Sequence, residues 1–115
     1  MIRAVLARAE WGTDAFDACV MHQANLLMLQ YLMKKLRLPS EKVVLTIGEH
    51  GNTSSASIPL AMTHALGPRL SRESMRLVLA GFGVGYSWGS VALECGPMFI
   101  PAPIVVDAPP PRGQP

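Results

Sequence analysis

The sequence predicts an α/β domain whose elements follow the order β-α-β-α-β-β and form a mixed sheet covered by helices. Short apolar runs typical of buried strands alternate along the chain with longer segments of helical periodicity. The last two apolar runs are separated by little more than a glycine-rich turn, which indicates one antiparallel pair at the end of the sheet. Half of the 115 residues are apolar and 16% are charged, so one well-buried domain is expected.

Four elements are predicted in the first half of the chain. Residues 1–10 carry apolar side chains at helical spacing and are predicted to be the tail of a helix. Residues 16–21 form a short buried strand. Residues 23–37 form a helix that is apolar on nearly every side, which is typical of a helix buried on most sides. Residues 42–47 are an apolar, largely β-branched run, as expected of an inner strand covered on both faces.

A second helix and two strands follow. The helix comes after a polar loop and is predicted to end at Gly67-Pro68, since a glycine followed by a proline stops helices. Its start stays open, because Pro59 lies early in it and three serines are able to cap it: Ser54, Ser55 and Ser57. Residues 76–80 and 86–95 are the last two strands.

The tail at residues 97–115 differs in composition from the domain at residues 1–96. Seven of the ten prolines lie in the tail, three of them in succession, and apolar periodicity is absent from its sequence. We expect the tail to be extended and mostly disordered.

Composition excludes several classes of protein. A net charge of +2 with scattered basic residues provides no nucleic-acid-binding surface. The apolar stretches are too short and too interrupted to span a bilayer, and the first residues do not resemble a secretory leader. Two cysteines make no disulfide framework and are compatible with a reducing compartment. The expectation is a cytoplasmic protein that binds neither nucleic acid nor membrane.

Two motifs place hydrogen-bonding side chains at the same kind of position. His22-Gln23-Ala24-Asn25 follows the first predicted strand, and Gly51-Asn52-Thr53-Ser54 follows the second. Each motif lies where a strand ends and a helix begins, which is where ligands bind in α/β folds. An imidazole and a carboxamide that converge there are able to donate to one carbonyl oxygen and to stabilise it as it becomes an enolate. His50 and His64 have no such setting and are interpreted as ordinary side chains, His50 beside a loop and His64 on the outside of a helix.

The histidine, the asparagine and the glycine-rich segment each also have a purely structural interpretation when considered alone. A single histidine at a strand end is more often structural than catalytic. Asn52 precedes Thr53 and Ser54 and is therefore a good helix cap or Asx-turn residue, and capping would hold its amide in place. The alternate glycines that begin at Gly81 are also typical of a plain turn between two strands.

A third segment, Gly81-Phe82-Gly83-Val84-Gly85-Tyr86-Ser87-Trp88-Gly89, completes an ordered set of motifs. With these three motifs in this order and at this spacing, the chain resembles the C-terminal part of a β-ketoacyl-[acyl carrier protein] synthase III, of the thiolase-like superfamily. The resemblance runs from about Ala15 to Glu94. It implies the fold of the C-terminal part of a thiolase-like half, without that half's first strand and without the whole N-terminal half.

The resemblance assigns roles to residues of this sequence. His22 and Asn52 correspond to the catalytic pair that binds the thioester carbonyl of a malonyl group and supports its decarboxylation. The glycine loop contributes backbone N–H groups to the oxyanion hole, from Gly83, Val84 and Gly85. Two neighbours of the histidine orient the start of the helix: Gln23 and Asn25. The complete enzyme takes an acyl group from acyl-coenzyme A and condenses it with malonyl-acyl carrier protein, and no metal or redox cofactor is implied.

Two positions depart from the family pattern. Val84 stands where well-known members carry a further glycine, and a β-branched residue accepts fewer backbone angles. Leu27 stands where members that initiate fatty-acid synthesis often carry an arginine that faces the carrier protein. Carrier-protein docking is then either absent from this spot or uses basic residues near the end of the same helix: Lys34, Lys35 and Arg37.

The resemblance also indicates what the sequence lacks. The family's nucleophile is a cysteine at a helix N-terminus in the first half of the enzyme, and neither Cys19 nor Cys95 has a setting that lowers a thiol pKa. The strand expected before Met1 would occupy the middle of the sheet, and its absence would separate the strands at 16–21 and 76–80. The chain is expected to close this gap either by pairing the two strands directly or by borrowing a strand from a partner or a second copy.

Two interpretations follow from these absences. The first is a truncated synthase that is inactive by itself and is oligomeric, aggregation-prone or partly folded in isolation. The alternative is a non-catalytic subunit or binding module that completes the acyl-thioester site of a partner, such as a cysteine-bearing N-terminal half.

Overall fold

The computed structural model describes residues 1–106 of the chain, and three strands within them form one mixed sheet. The strands are β1 (Ala18–Met21), β2 (Met75–Gly83) and β3 (Ser87–Cys95), in that order across the sheet. β1 is parallel to β2, and β2 is antiparallel to β3. The predicted α/β class, with one antiparallel pair at the end of a mixed sheet, is confirmed.

β1 and β2 pair directly, so no gap separates these strands, and the first of the two expected ways of closing it is the one observed. Ala18 lies opposite Leu77 and Met21 opposite Ala80, and all four residues of β1 are buried. The N–H of His22 extends the ladder by donating to the Ala80 carbonyl over 2.8 Å. A buried strand needs hydrogen-bond partners for its backbone groups, and the apolar β2 supplies them without an intervening strand.

The segment at residues 42–47 runs beside β1 but does not form the predicted strand. It makes one parallel bridge, between Val43 and Cys19. Further along, the Thr46 N–H donates to Gln23 Oε1 over 2.8 Å, so a side chain takes the place of a strand partner. The physical reason is that the Gln23 carboxamide occupies the next backbone groups on both sides, since its Nε2 donates to the carbonyls of Met21 and Val44.

Helices cover both faces of the sheet. The helices are α1 (Ile2–Arg8), α2 (Leu26–Leu36), α3 (Ile47–His50), α4 (Ser57–Ala61) and α5 (Gly67–Leu70), with 3-10 turns at Ser40–Lys42 and Ser54–Ala56 and a π turn at Met62–Leu66. On β1, Cys19 and Met21 join an apolar cluster with α1 and α2, whereas Ala18 and Val20 join a second cluster with α4 and α5. The alternation of side chains along one strand therefore places the sheet between two helical layers.

The second helical stretch does not stop at Gly67-Pro68 as predicted. The chain continues through α4 and the π turn into α5, which ends at Leu70. Pro68 lies in the first turn of α5, where a missing N–H removes no helical hydrogen bond. The π turn just before it marks the interruption of the regular hydrogen-bond ladder, so the proline begins a new turn instead of ending the helix.

α2 starts later than predicted and is not buried on most sides. Asn25 caps it, since its side-chain oxygen accepts the Met28 N–H over 2.8 Å. Leu29 is its one fully buried residue, whereas Leu27 is 78% exposed and Tyr31 is 58% exposed. The core therefore covers a single stripe of this helix. Although α2 is the longest helix within residues 1–106, no helix there has the length and apolar character that a bilayer crossing requires.

The chain after β3 forms neither helix nor strand up to residue 106. Ile100 packs against the apolar cluster on the α4 and α5 side of the sheet. The Met98 N–H donates to the Leu70 carbonyl over 2.8 Å, so this part of the predicted tail contacts the domain. The remainder of that tail, residues 107–115, lies outside the described residues.

Candidate active site

β1 delivers His22 to the carboxyl edge of the sheet. The residue directly follows the strand, and its N–H still pairs with the Ala80 carbonyl of β2, so the sheet fixes its backbone. A tight turn follows, in which the Ala24 N–H donates to the His22 carbonyl over 2.9 Å. Asn25 then caps α2. The imidazole therefore lies at the end of one of two adjacent parallel strands, where α/β proteins bind ligands.

Asn52 reaches the same edge from the loop that follows α3. Its Oδ1 accepts the Ser54 N–H over 2.9 Å, which is an Asx turn, and its Nδ2 donates to the Ala24 carbonyl over 3.3 Å. The turn holds the carboxamide, and the bond to Ala24 ties it to the peptide segment beside His22. Because a carboxamide nitrogen carries two hydrogens, one hydrogen remains for a ligand.

His22 and Asn52 line one cleft of about 680 Å³. The cleft lies between the connection from α3 to α4 and the end of β2, and its other lining residues are Ser54, Ser55, Ser57, Ile58, Gly81, Phe82, Gly83 and Val84. Of the three residues predicted to supply the oxyanion loop, Gly83 and Val84 line the cleft. Gly85 lies in the turn beyond it, with a φ of 80°. The fold thus brings the histidine, the asparagine and part of the glycine loop to one place.

Two residues that sequence reasoning did not assign to the site contact the His22 ring. Ser57 Oγ lies 2.6 Å from Nδ1 and also receives the Gln23 N–H over 3.4 Å. The Phe82 ring meets the imidazole edge-on, with the ring centroids 5.5 Å apart and the planes at 74°. In the sequence, Ser57 is marked only as a candidate helix cap and Phe82 only as an aromatic residue between two glycines. Neither contact was therefore readable from a local pattern.

Comparison with known proteins decides the family. The model of the family described as 3-oxoacyl-[acyl-carrier-protein (ACP)] synthase III C terminal matches residues 6–95. The chain belongs to this synthase III family. The matched range contains all three motifs and ends at the last residue of β3. The fold is accordingly that of the C-terminal part of a thiolase-like half, as the resemblance implied.

Synthase III relatives are much longer than this chain. The β-ketoacyl-[acyl-carrier-protein] synthase III of Pseudomonas aeruginosa is 46% identical over 93 residues, which cover 81% of this chain and 28% of the relative. The synthase III 1 of Halalkalibacterium halodurans is 42% identical over 92 residues, or 80% of this chain and 30% of the relative. The crystal structure of 3-oxoacyl-(acyl-carrier protein) synthase from Burkholderia xenovorans superposes with a TM-score of 0.85 at 49% identity, covering 88% of this chain and 29% of that one. The chain spans less than a third of these synthases.

The superposition also bears on the order of the strands. A TM-score of 0.85 over 88% of this chain means that β1, β2 and β3 hold the same places in the longer Burkholderia synthase. The direct pairing of β1 with β2 therefore fits the fold of that synthase. The further strand that was expected in the middle of the sheet does not lie between them.

The other two polar residues of the histidine motif have separate structural tasks. Gln23 is 1% exposed, and its Nε2 donates to the carbonyls of Met21, over 2.8 Å, and Val44, over 3.2 Å. Its Oε1 accepts the Thr46 N–H. Gln23 thus ties the end of β1 to the segment before α3, whereas Asn25 is the residue that orients the start of α2.

The two departures from the synthase III pattern lie at exposed positions. Val84 is fully exposed at the tip of the hairpin between β2 and β3. The left-handed backbone of this turn falls on Gly85 and on Tyr86, whose φ is 51°, so the β-branched Val84 keeps an ordinary conformation. Leu27 projects into solvent from the first turn of α2.

Burial affects the thiol pKa of both cysteines. Cys19 lies within β1 without exposed surface, and burial raises its pKa to about 12. Burial also raises the pKa of Cys95, the last residue of β3. A raised pKa disfavours the thiolate, which is the form that attacks a thioester.

Proposed function

We propose that this chain forms the malonyl-binding and decarboxylating part of a ketoacyl synthase III. In the complete enzyme, an acyl group from acyl-coenzyme A is carried on a cysteine thiol of the N-terminal portion. A malonyl group on acyl carrier protein then loses CO₂, and the enolate that remains attacks the acyl thioester. A carbon–carbon bond forms and the cysteine thiolate leaves. The two steps involve no net oxidation, so the proposal requires no redox cofactor.

The observation that carries this proposal is the shared cleft of His22 and Asn52. Both side chains are anchored beside Ala24, the histidine through the turn after β1 and the asparagine through its Nδ2. The cleft opens at the carboxyl end of β1 and is walled on its other side by the end of β2. Two donors in such a place are suited to a thioester carbonyl that gains negative charge as CO₂ departs.

The hydrogen bonds around Ser57 support a specific role for the imidazole. Ser57 Oγ receives the Gln23 N–H, and within residues 1–106 the one acceptor described for its own hydrogen is His22 Nδ1. When Nδ1 accepts this hydrogen, the proton of a neutral imidazole resides on Nε2. An Nε2–H group is the donor that a developing enolate oxygen needs.

The cysteine that carries the acyl group is proposed to come from a separate polypeptide portion, because burial raises the pKa of Cys19 and of Cys95 and so disfavours their thiolates. The isolated chain then has no condensing activity. The alternative is a non-catalytic module that completes the acyl-thioester site of a partner. That alternative predicts that the side chains of His22 and Asn52 are dispensable for the chemistry.

A chimera tests the proposal. Residues 6–95 replace the matching segment of the Pseudomonas aeruginosa synthase, which supplies the remaining parts of the enzyme. His22→Ala and Asn52→Ala should each lower malonyl decarboxylation by about two to three powers of ten, because each removes a donor to the enolate oxygen. Acyl transfer to the cysteine should stay largely intact, because it precedes the appearance of that charge. Release of labelled CO₂ reports decarboxylation, and intact mass reports acylation.

Gln30→Ala is the matched control for the loss of a carboxamide, since Gln30 is exposed on α2 and lies outside the cleft. It should leave both half-reactions unchanged. The unfused chain, incubated with acyl-coenzyme A, should acquire no acyl adduct. Equal loss of both half-reactions in the His22 or Asn52 variant contradicts the assigned roles. Undiminished decarboxylation in both variants favours the non-catalytic module.

A further inference from the structure

Glu49, His50 and His64 lie together outside the cleft. Glu49 and His50 are the last residues of α3, and His64 lies in the π turn after α4. One carboxylate oxygen and one nitrogen from each imidazole all lie within 4.8 Å of one another. Sequence reasoning treated the two histidines as unrelated ordinary side chains, and the tertiary fold places them side by side.

The contacts inside this cluster are polar and close. Glu49 Oε2 lies 2.5 Å from His64 Nε2, and both side chains are about half exposed, at 57% and 42%. The His50 ring stands edge-on to the His64 ring, with centroids 4.8 Å apart and planes at 86°. The cluster is therefore open to small solutes on the side of Glu49 and His64 and closed by protein on the side of His50.

The contact between Glu49 and His64 gives those two side chains a polar partner but leaves His50 unexplained. His50 Nε2 is inaccessible to solvent and has no hydrogen-bond partner within residues 1–106. A buried polar atom without a partner costs about 1–3 kcal/mol, and folded proteins nearly always supply one. A cation that takes His50 Nε2 as a ligand beside Glu49 and His64 would give this atom a partner.

We propose that Glu49, His50 and His64 form a zinc-binding site. Two imidazole nitrogens and one carboxylate oxygen are a donor set that Zn²⁺ takes where a fourth position is kept for water. Mg²⁺ and Ca²⁺ take oxygen ligands instead, so the two imidazoles select against them. Tetrahedral zinc holds its N and O ligands about 3.4 Å apart, and small movements of the exposed Glu49 and His64 side chains reach that spacing.

Titration of the full chain with metal tests the site. After treatment with a chelator, the chain should bind one Zn²⁺ by calorimetry and one Co²⁺ with the visible absorption of tetrahedral cobalt. Binding should weaken as pH falls, because protonated imidazoles cannot ligate. His64→Gln and Glu49→Gln should each weaken binding at least about tenfold, since each removes a ligand from an exposed position where the fold tolerates replacement. Zn²⁺ should raise the melting temperature of the parent chain and not that of the variants.

His22→Gln is the matched control, because His22 is the third and last histidine of the sequence. It should bind Zn²⁺ as the parent does. Binding that survives His64→Gln, or that is lost with His22→Gln, overturns the site. A thiolate-to-cobalt charge-transfer band overturns it as well, because it would place the metal on a cysteine. The absence of saturable Zn²⁺ binding to the parent chain also overturns the proposed site.

Discussion

The His22 ring is oriented by a single hydroxyl group. Ser57 is 2% exposed, so its Oγ is shielded from water and keeps its bond to Nδ1. Phe82 lies edge-on against the same ring and restricts its rotation. In the proposed role, the Ser57 hydroxyl donates to Nδ1 and the proton of a neutral ring then resides on Nε2, the proposed donor. In such sites the partner on the far side of an imidazole selects the tautomer and fixes the ring.

Ser57→Ala should therefore impair the proposed chemistry without removing a group that touches substrate. In the chimera we expect decarboxylation to fall about 10- to 100-fold, as is typical when the outer partner of a functional histidine is lost. Acyl transfer should change little. The loss of one buried hydrogen bond should cost about 1 kcal/mol of stability, which thermal unfolding measures.

Ser71→Ala supplies the matched control for this substitution. Ser71 also donates a hydroxyl hydrogen bond, to the Pro68 carbonyl over 3.1 Å, but at an exposed site away from the cleft. It should leave decarboxylation unchanged. If Ser57→Ala retains full decarboxylation with normal acylation, the hydroxyl does not select the tautomer.

At the scale of elements, hydrogen bonds from the Gln23 side chain replace the backbone pairing expected between β1 and residues 42–47. Residues 42–47 have the composition of an inner strand, yet only Val43 makes a bridge to β1. Past that bridge, the carboxamide of Gln23 receives the Thr46 N–H and donates to the Val44 carbonyl. The segment before α3 is thereby held against the sheet at the position from which the chain leads to Asn52.

Gln23→Ala should destabilise the domain. It leaves buried backbone groups of Met21, Val44 and Thr46 without this partner, and each such group costs about 1–3 kcal/mol when water cannot replace the bond. Allowing for partial entry of water, we expect a loss of about 2–4 kcal/mol in the free energy of unfolding. Denaturant unfolding followed by circular dichroism measures this loss.

Gln30→Ala is the control, because the same change at an exposed position of α2 should alter stability by less than about 0.5 kcal/mol. Equal stability of the Gln23 and Gln30 variants would show that the buried carboxamide does not hold the segment. A loss of stability confined to the Gln23 variant supports the role of the buried carboxamide in holding this segment.

At the scale of the whole molecule, apolar surface and a free sheet edge remain uncovered within residues 1–106. β3 is nine residues long and ends the sheet, so one of its edges has no strand partner there. α2 exposes several large apolar side chains: Leu26, Leu27, Met28 and Tyr31. Free edges and apolar patches of this kind promote association. The expectation of self-association thus keeps a physical basis, although the gap in the sheet that first suggested it does not exist.

The isolated chain should accordingly associate as its concentration rises. Size-exclusion chromatography with light scattering measures the effect, and a melting scan shows whether unfolding is cooperative. Leu27→Lys should reduce association if the α2 surface drives it, whereas Val91→Lys should do so if the edge strand β3 does. A monodisperse monomer with a sharp melting transition would refute the expectation.

The sequence by itself determined the family and the kinds of element. Three motifs in a definite order marked a synthase III, and the family match over residues 6–95 confirms it. A long apolar run indicated α2, and two apolar runs joined by a short glycine-rich turn indicated the antiparallel pair of β2 and β3, because these patterns are set by near neighbours along the chain. His22 and Asn52 were also expected at one edge of the sheet, and they line one cleft. Their catalytic roles stay a prediction.

Tertiary structure alone decided which elements are neighbours. It placed β1 directly beside β2, left one side of α2 uncovered, and let Gln23 replace the strand pairing expected of residues 42–47. It also brought Ser57 to His22 and His64 to His50. These contacts join residues far apart in the chain, so they depend on strand order and on the packing of two helical layers. Local periodicity indicates which face of a helix or strand a side chain occupies, but not which distant residues it contacts on that face.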